Sequence, residues 1–104
     1  MNLEDGVRDE EYLQLLDQAV EKALSRFDPQ LLMYVAGADP YKEDQLGGLA
    51  LTIDGLMKRD NLVFAIARQR KIPICVSLAG GYARRVEDTV TIHANTAKCL
   101  AAAQ

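Results

Sequence analysis

At 104 residues, 49% of them hydrophobic and 26% charged, the chain has the size and composition of a single folded globular domain, not of a disordered or fibrous segment. A formal net charge of -3 and a pI near 5.0 supply no cationic field to hold a phosphate backbone, which argues against nucleic acid as a partner. No stretch approaches the roughly 20 apolar residues of a membrane span, and the opening MNLEDGVRDEEY lacks the basic, apolar pattern of a signal sequence, so no membrane is expected and the expected location is cytoplasmic.

The first predicted helix takes Asp9 as its N-cap, sets Glu10 and Glu11 against the positive end of the dipole, and aligns Tyr12, Leu16, Ala19, Val20, Ala23 and Phe27 as one apolar stripe. Asp28-Pro29 ends it. Leu31 to Asp39, LLMYVAGAD, follows: six apolar or aromatic residues, a Gly turn, then a carboxylate directly before Pro40. Such a run reads as a strand buried on both faces. Asp39 then stands where that strand leaves the sheet, the edge at which functional polar groups of open α/β sheets collect.

The connection from Gly37 to Leu51 is long for a βα loop, which generally takes about two to six residues, and long loops in compact domains are usually functional. Thr52 is the predicted N-cap of a second helix, with Asp54 in its first turn, Leu56, Val63, Ile66 and Ala67 facing inward, and Arg68, Arg70 and Lys71 at its negative end. Pro73 opens a second strand, Ile72 to Leu78, and Ala79-Gly80-Gly81-Tyr82 turns out of it. A third helix, Val86 to Ala102, carries Val86, Val90, Ala94, Ala97 and Ala101 at helical spacing. Cys75 and Cys99, without a C-x-x-C spacing, are expected to be buried free thiols, which fits a reducing compartment.

Helix, strand, helix, strand, helix is an α/β order, and its central strand-helix-strand is a right-handed crossover with parallel, adjacent strands. Neighbouring strands lie about 4.8 Å apart, so Asp39 and Tyr82, each just beyond its strand, face a common cleft. Two parallel strands flanked by three helices leave both sheet edges open. The expected architecture is therefore a single domain forming a three-layer fragment, completed by oligomerisation or by a larger sheet.

The segments VAGADPYKEDQLGGLALTIDGLMKRD and IPICVSLAGGYARR resemble the C-terminal portion of the zinc-dependent histone deacetylase superfamily, in its class IV and bacterial histone-deacetylase-like branch. The likeness runs from about Gly6 to Arg85, and its specific parts are the ADxxxxDxLG pattern (Ala38, Asp39, Asp44, Leu46, Gly47) and the GGY turn. The resemblance implies a partial arginase/deacetylase-type fold and hydrolysis of an N-acyl amide on a lysine or polyamine-like amine. By position it makes Asp39 a zinc-binding carboxylate and Tyr82 the catalytic hydroxyl that hydrogen-bonds the scissile carbonyl. Leu46, Gly80 and Gly81 become walls of the substrate channel. Zinc is the family's cofactor, a Lewis acid beside a fixed phenol donor. A catalytic zinc takes about three protein ligands, and the family draws the other two from an Asp-x-His pair and its base from a His-His pair. This chain has one histidine, His93, placed in the third helix and expected to point away from the cleft. No zinc is expected to bind to this chain alone.

Each residue also has a plainer reading. Asp39 before Pro40 suits an Asx-turn, Tyr82 a packed turn aromatic, Leu46 a core position, and His93 a structural role. Gly80-Gly81 ahead of Arg84 and Arg85 is a candidate anion cradle. Two functions stand side by side: the C-terminal part of a deacetylase, inactive without a missing N-terminal deacetylase segment, or a stand-alone, non-catalytic homo-oligomeric binding or scaffold protein.

Overall fold

The computed structural model describes residues 2–104. Five elements follow in the expected order: α1 (Asp9–Phe27), β1 (Leu32–Gly37), α2 (Ile53–Gln69), β2 (Ile74–Ala79) and α3 (Val86–Ala102). The strands form a parallel pair in the register Leu32↔Ile74 through Gly37↔Ala79. The second strand begins two residues later than the sequence predicts, because Lys71 turns the chain with φ 56 and Pro73 enters the ladder only as an acceptor, from Leu32 N at 2.9 Å.

Thr52 caps α2 as expected, its hydroxyl accepting from Gly55 N at 2.9 Å. The start of α1 differs. Arg8 is the N-cap and makes no side-chain cap bond, while Asp9 is the first helical residue. The Asp9 carboxylate instead accepts from Thr52 N at 2.8 Å and Thr52 Oγ1 at 2.5 Å, fastening the start of α1 to the start of α2. In its last turn α1 buries Leu24, not Ala23 or Phe27, and Phe27 is 77% exposed. Packing follows the i, i+4 row through Tyr12, Leu16, Val20 and Leu24, the ridge along which helices interdigitate.

β1 is buried on one face, not both. Leu32, Tyr34 and Ala36 turn toward α2, where the Tyr34 ring meets Phe64 edge-on at 5.8 Å. Met33 and Val35, each 66% exposed, share the other face with exposed Cys75 and Ser77. Cys75 is therefore not the buried thiol the sequence suggests, whereas Cys99 is buried. Side chains alternate along a strand, and the layer that would cover this second face is not among the described residues. α3 shows the same one-sidedness: Ile92, Thr96 and Cys99 face inward, while Val86, Val90, Ala94, Ala97 and Ala101 lie outside.

The long loop after β1 is part of the core. Ala38, Tyr41 and Leu51 pack with Leu56 and Ile92, and Tyr12, Leu49, Ile53 and Ala83 close around them. A loop with its own apolar anchors holds a fixed shape, and the candidate site rests on it.

Candidate functional site

Asp39 leaves β1 two residues past the strand end and is exposed. Its carboxylate lies over Gly37 and Gly80, so close that a Cβ on Gly80 would sit 3.0 Å from Oδ1. Gly80 has φ 58 and Gly81 φ 127, a positive-φ range that glycine adopts freely and residues with a Cβ adopt at a cost. A Cβ on Gly81 would meet Thr89 Cγ2 at 2.8 Å and Ala38 Cβ at 3.0 Å. The two strand exits therefore touch, as the crossover topology requires.

Tyr82 is held by its backbone while its ring, 62% exposed, stands free at the edge. Its N–H donates to Asp44 Oδ2 at 2.7 Å and its carbonyl accepts from Gln45 N at 2.9 Å. Arg84 N donates to Glu43 O at 3.0 Å, and Asp44 and Ala83 form an antiparallel bridge. A short clasp thus joins the Asp39 loop to the Tyr82 loop. Asp44 is its hinge pin, for Leu46 N at 2.9 Å and Gly47 N at 2.8 Å also donate to Oδ1. Burial pushes the Asp44 carboxyl upward, but the backbone donors Tyr82, Leu46 and Gly47 outweigh it and hold it below its ordinary value. Leu46 itself is 75% exposed, not a core side chain, and projects from the loop that Asp44 organises.

His93 does not point away from the cleft. Its Nε2 stands 3.1 Å from Gly80 O, because α3 runs back under the turn that leaves β2. Tyr41, anchored in the core, donates from its hydroxyl to Asp88 Oδ2 at 2.9 Å and ties the loop to the start of α3.

Below the β1 exit lies a buried network that motif reading does not reveal. Arg59 and Asp60 are 4% and 1% exposed. Asp60 Oδ1 accepts from Tyr34 OH at 2.5 Å and Arg59 Nε at 3.0 Å, and Oδ2 from Thr96 Oγ1 at 2.5 Å. Arg59 Nη1 donates to Gly37 O at 2.6 Å. Burial, ahead of the neighbouring charges, raises the Tyr34 phenol far above its ordinary range. The available signal was an Arg-Asp pair between Leu56 and Val63, on the inward face of a helix, where unpaired charge is costly. A cavity of about 240 Å³ opens beside it, with Tyr12, Asp39, Arg59 and Ala79 among its walls.

Among the described residues no three His, Cys, Asp or Glu side chains are grouped to hold a metal ion. Asp39 contributes a single carboxylate, so the residues present do not make up a zinc site by themselves.

A parallel α/β unit with a carboxylate at one strand exit and a Gly-Gly-Tyr turn at the next defines this chain as part of an arginase/deacetylase-type fold. Residues 1–97 match the sequence profile described as "Histone deacetylase domain", and the chain belongs to that family. It is 38% identical over 93 residues to an uncharacterized protein of Picosynechococcus, covering 89% of this chain and 31% of that protein. Histone deacetylase 2 of Arabidopsis thaliana is 40% identical over 89 residues, 82% of this chain and 23% of its own length. The crystal structure of acetylpolyamine aminohydrolase from Burkholderia pseudomallei superposes with a TM-score of 0.81 at 24% identity, covering 99% of this chain and 28% of that one. The chain thus spans less than a third of the length of these relatives. No helix among the described residues is long and apolar enough to cross a membrane.

Proposed function

We propose that this chain is the C-terminal portion of a zinc-dependent N-acyl amide hydrolase of acetyl-lysine or acetylpolyamine type, inactive until the remainder of the domain is supplied. In this reading Asp39 provides one zinc-binding carboxylate, and the Tyr82 hydroxyl donates to the scissile carbonyl and the oxyanion that follows. Leu46, Gly80 and Gly81 line the channel for the acylated amine. The observation that carries the reading is the clasp through Asp44, which gives the Asp39 and Tyr82 loops one fixed relative position. The remaining zinc ligands and the general base come from outside this chain. The cytoplasm is the proposed compartment, supported by two free cysteines.

The test is a hybrid in which this chain replaces the matched segment of the Picosynechococcus relative, assayed on acetyl-lysine and N-acetylputrescine reporters. The hybrid turns over one of them, the isolated chain turns over neither, and Tyr82→Phe lowers the hybrid's kcat by about 10²-fold or more. Turnover by the isolated chain, or an unchanged kcat in the phenylalanine variant, overturns the reading.

The bare sheet face with Met33 and Val35, and the outer stripe of α3 with Val86 and Val90, favour a second reading. There the chain is a non-catalytic module of deacetylase ancestry that covers these apolar surfaces with another copy of itself. A stable homo-oligomer that resists exchange with the rest of a deacetylase domain supports it.

A further inference from the structure

We infer that Arg59 is a positioning residue that sets the direction of the Asp39 carboxylate by gripping the last peptide unit of β1. The inference rests on the reading of Asp39 as the site's carboxylate. The peptide joining Gly37 to Ala38 is held from both sides: its N–H donates to Ala79 O at 3.1 Å, and its carbonyl accepts from Arg59 Nη1 at 2.6 Å. N–H and C=O of a trans peptide point in opposite directions. Since the N–H is spent on β2, the carbonyl points to the unpaired edge of β1, where the strand ladder offers no donor. The guanidinium reaches round from α2 to satisfy it. With that plane fixed and Ala38 1% exposed, little freedom remains in the backbone that enters Asp39.

Arg59 is itself held. Its Nε donates to Asp60 Oδ1 at 3.0 Å, and its guanidinium carbon lies 5.7 Å from the centre of the Tyr34 ring. Asp60 already has two other donors, Tyr34 and Thr96, so the carboxylate does not depend on Arg59 alone for satisfaction. The side chain therefore does something a simple buried ion pair does not: one branch of its planar fork goes to the acid and another to the strand exit. Lysine, with a single ammonium, cannot span both acceptors in this geometry.

The experiment compares isotope-labelled wild-type chain with Arg59→Lys and Tyr34→Phe by NMR. Tyr34→Phe removes a donor from Asp60 and leaves the Gly37 carbonyl gripped. Arg59→Lys should shift the Gly37 carbonyl carbon, the Ala38 amide and the Asp39 side-chain carboxyl carbon, while Tyr34→Phe lowers stability without moving Asp39. Equal displacement of Asp39 in both variants, or none in Arg59→Lys, assigns Arg59 a purely structural role and overturns the inference. Should the lysine variant not fold, the unmutated chain decides: separate, slowly rotating Arg59 Nη protons support the grip, and a freely averaging guanidinium overturns it. In the hybrid deacetylase, Arg59→Lys should lower kcat about tenfold with KM little changed. A hybrid without turnover, alongside a shifted Asp39 resonance, removes the hydrolase reading and leaves the positioning role standing.

Discussion

The carboxylate of Asp44 and the backbone N–H of Tyr82, 38 positions apart in sequence, meet at 2.7 Å. With Gln45 N to Tyr82 O and Arg84 N to Glu43 O it joins the two loops at the strand exits, and the donors from Leu46 and Gly47 fix the carboxylate in place. Asp44→Ala removes all three acceptor contacts and should destabilise the chain by about 2 to 3 kcal/mol. Urea unfolding measures it, with Leu46→Ala as a control that changes stability by no more than about 0.5 kcal/mol because its side chain is 75% exposed.

The same carboxylate makes the fold acid-sensitive. Burial alone would raise its pKa, yet the backbone donors Tyr82, Leu46 and Gly47 bring it below its ordinary value. A group with a depressed folded pKa stabilises the fold above the unfolded value, and that contribution drains away as pH falls through the folded one. Urea midpoints should therefore drop as pH decreases below about 4, and Asp44→Asn should flatten that decline while lowering the plateau at neutral pH.

Gly81 and Gly80 should respond differently to alanine. At Gly81, φ 127 and contacts of 2.8 Å to Thr89 and 3.0 Å to Ala38 leave no room, so Gly81→Ala should cost about 2 to 3 kcal/mol in thermal unfolding. Gly80, at φ 58, would meet only the Asp39 carboxylate at 3.0 Å. Gly80→Ala should cost about 1 kcal/mol and turn the Asp39 side chain, visible as a shifted Asp39 carboxyl resonance with little change elsewhere.

The bare sheet face and the bare stripe of α3 should make the chain associate. Val86 and Val90 are 68% and 62% exposed on α3, and Met33 and Val35 lie bare on the sheet. Light scattering at micromolar concentration should report a species larger than a monomer. Val90→Lys should reduce association while leaving the urea midpoint in place, since the side chain touches little within the chain. A compact wild-type monomer contradicts this expectation.

Much of the architecture was legible in residue patterns. The apolar run Leu32 to Ala36, the cap at Thr52 and the Gly-Gly turn each act over a few residues, so local chemistry is enough to predict five elements in order and the parallel pairing of the strands. Topology alone sets Asp39 and Tyr82 at neighbouring strand exits, and in the structure the Asp39 carboxylate lies against Gly80, two residues before Tyr82. Local patterns failed where a partner across the chain decides. The local pattern makes Asp9 a helix cap, yet it serves Thr52; Phe27 fits a helical stripe but lies beyond the i, i+4 row that packs; His93 is expected away from the cleft, yet its ring lies against Gly80.

By itself, then, the sequence determined the order of elements, the crossover and the two strand exits, because hydrophobic period, capping and turn chemistry are properties of neighbouring residues. Only the tertiary structure decided that Asp44 binds the two exit loops together and that Arg59 holds the Gly37 carbonyl. It also decided that one sheet face and the outer stripe of α3 are left bare. Those outcomes depend on which groups meet after the helices pack, and a buried charge reveals its purpose only through the partner that satisfies it.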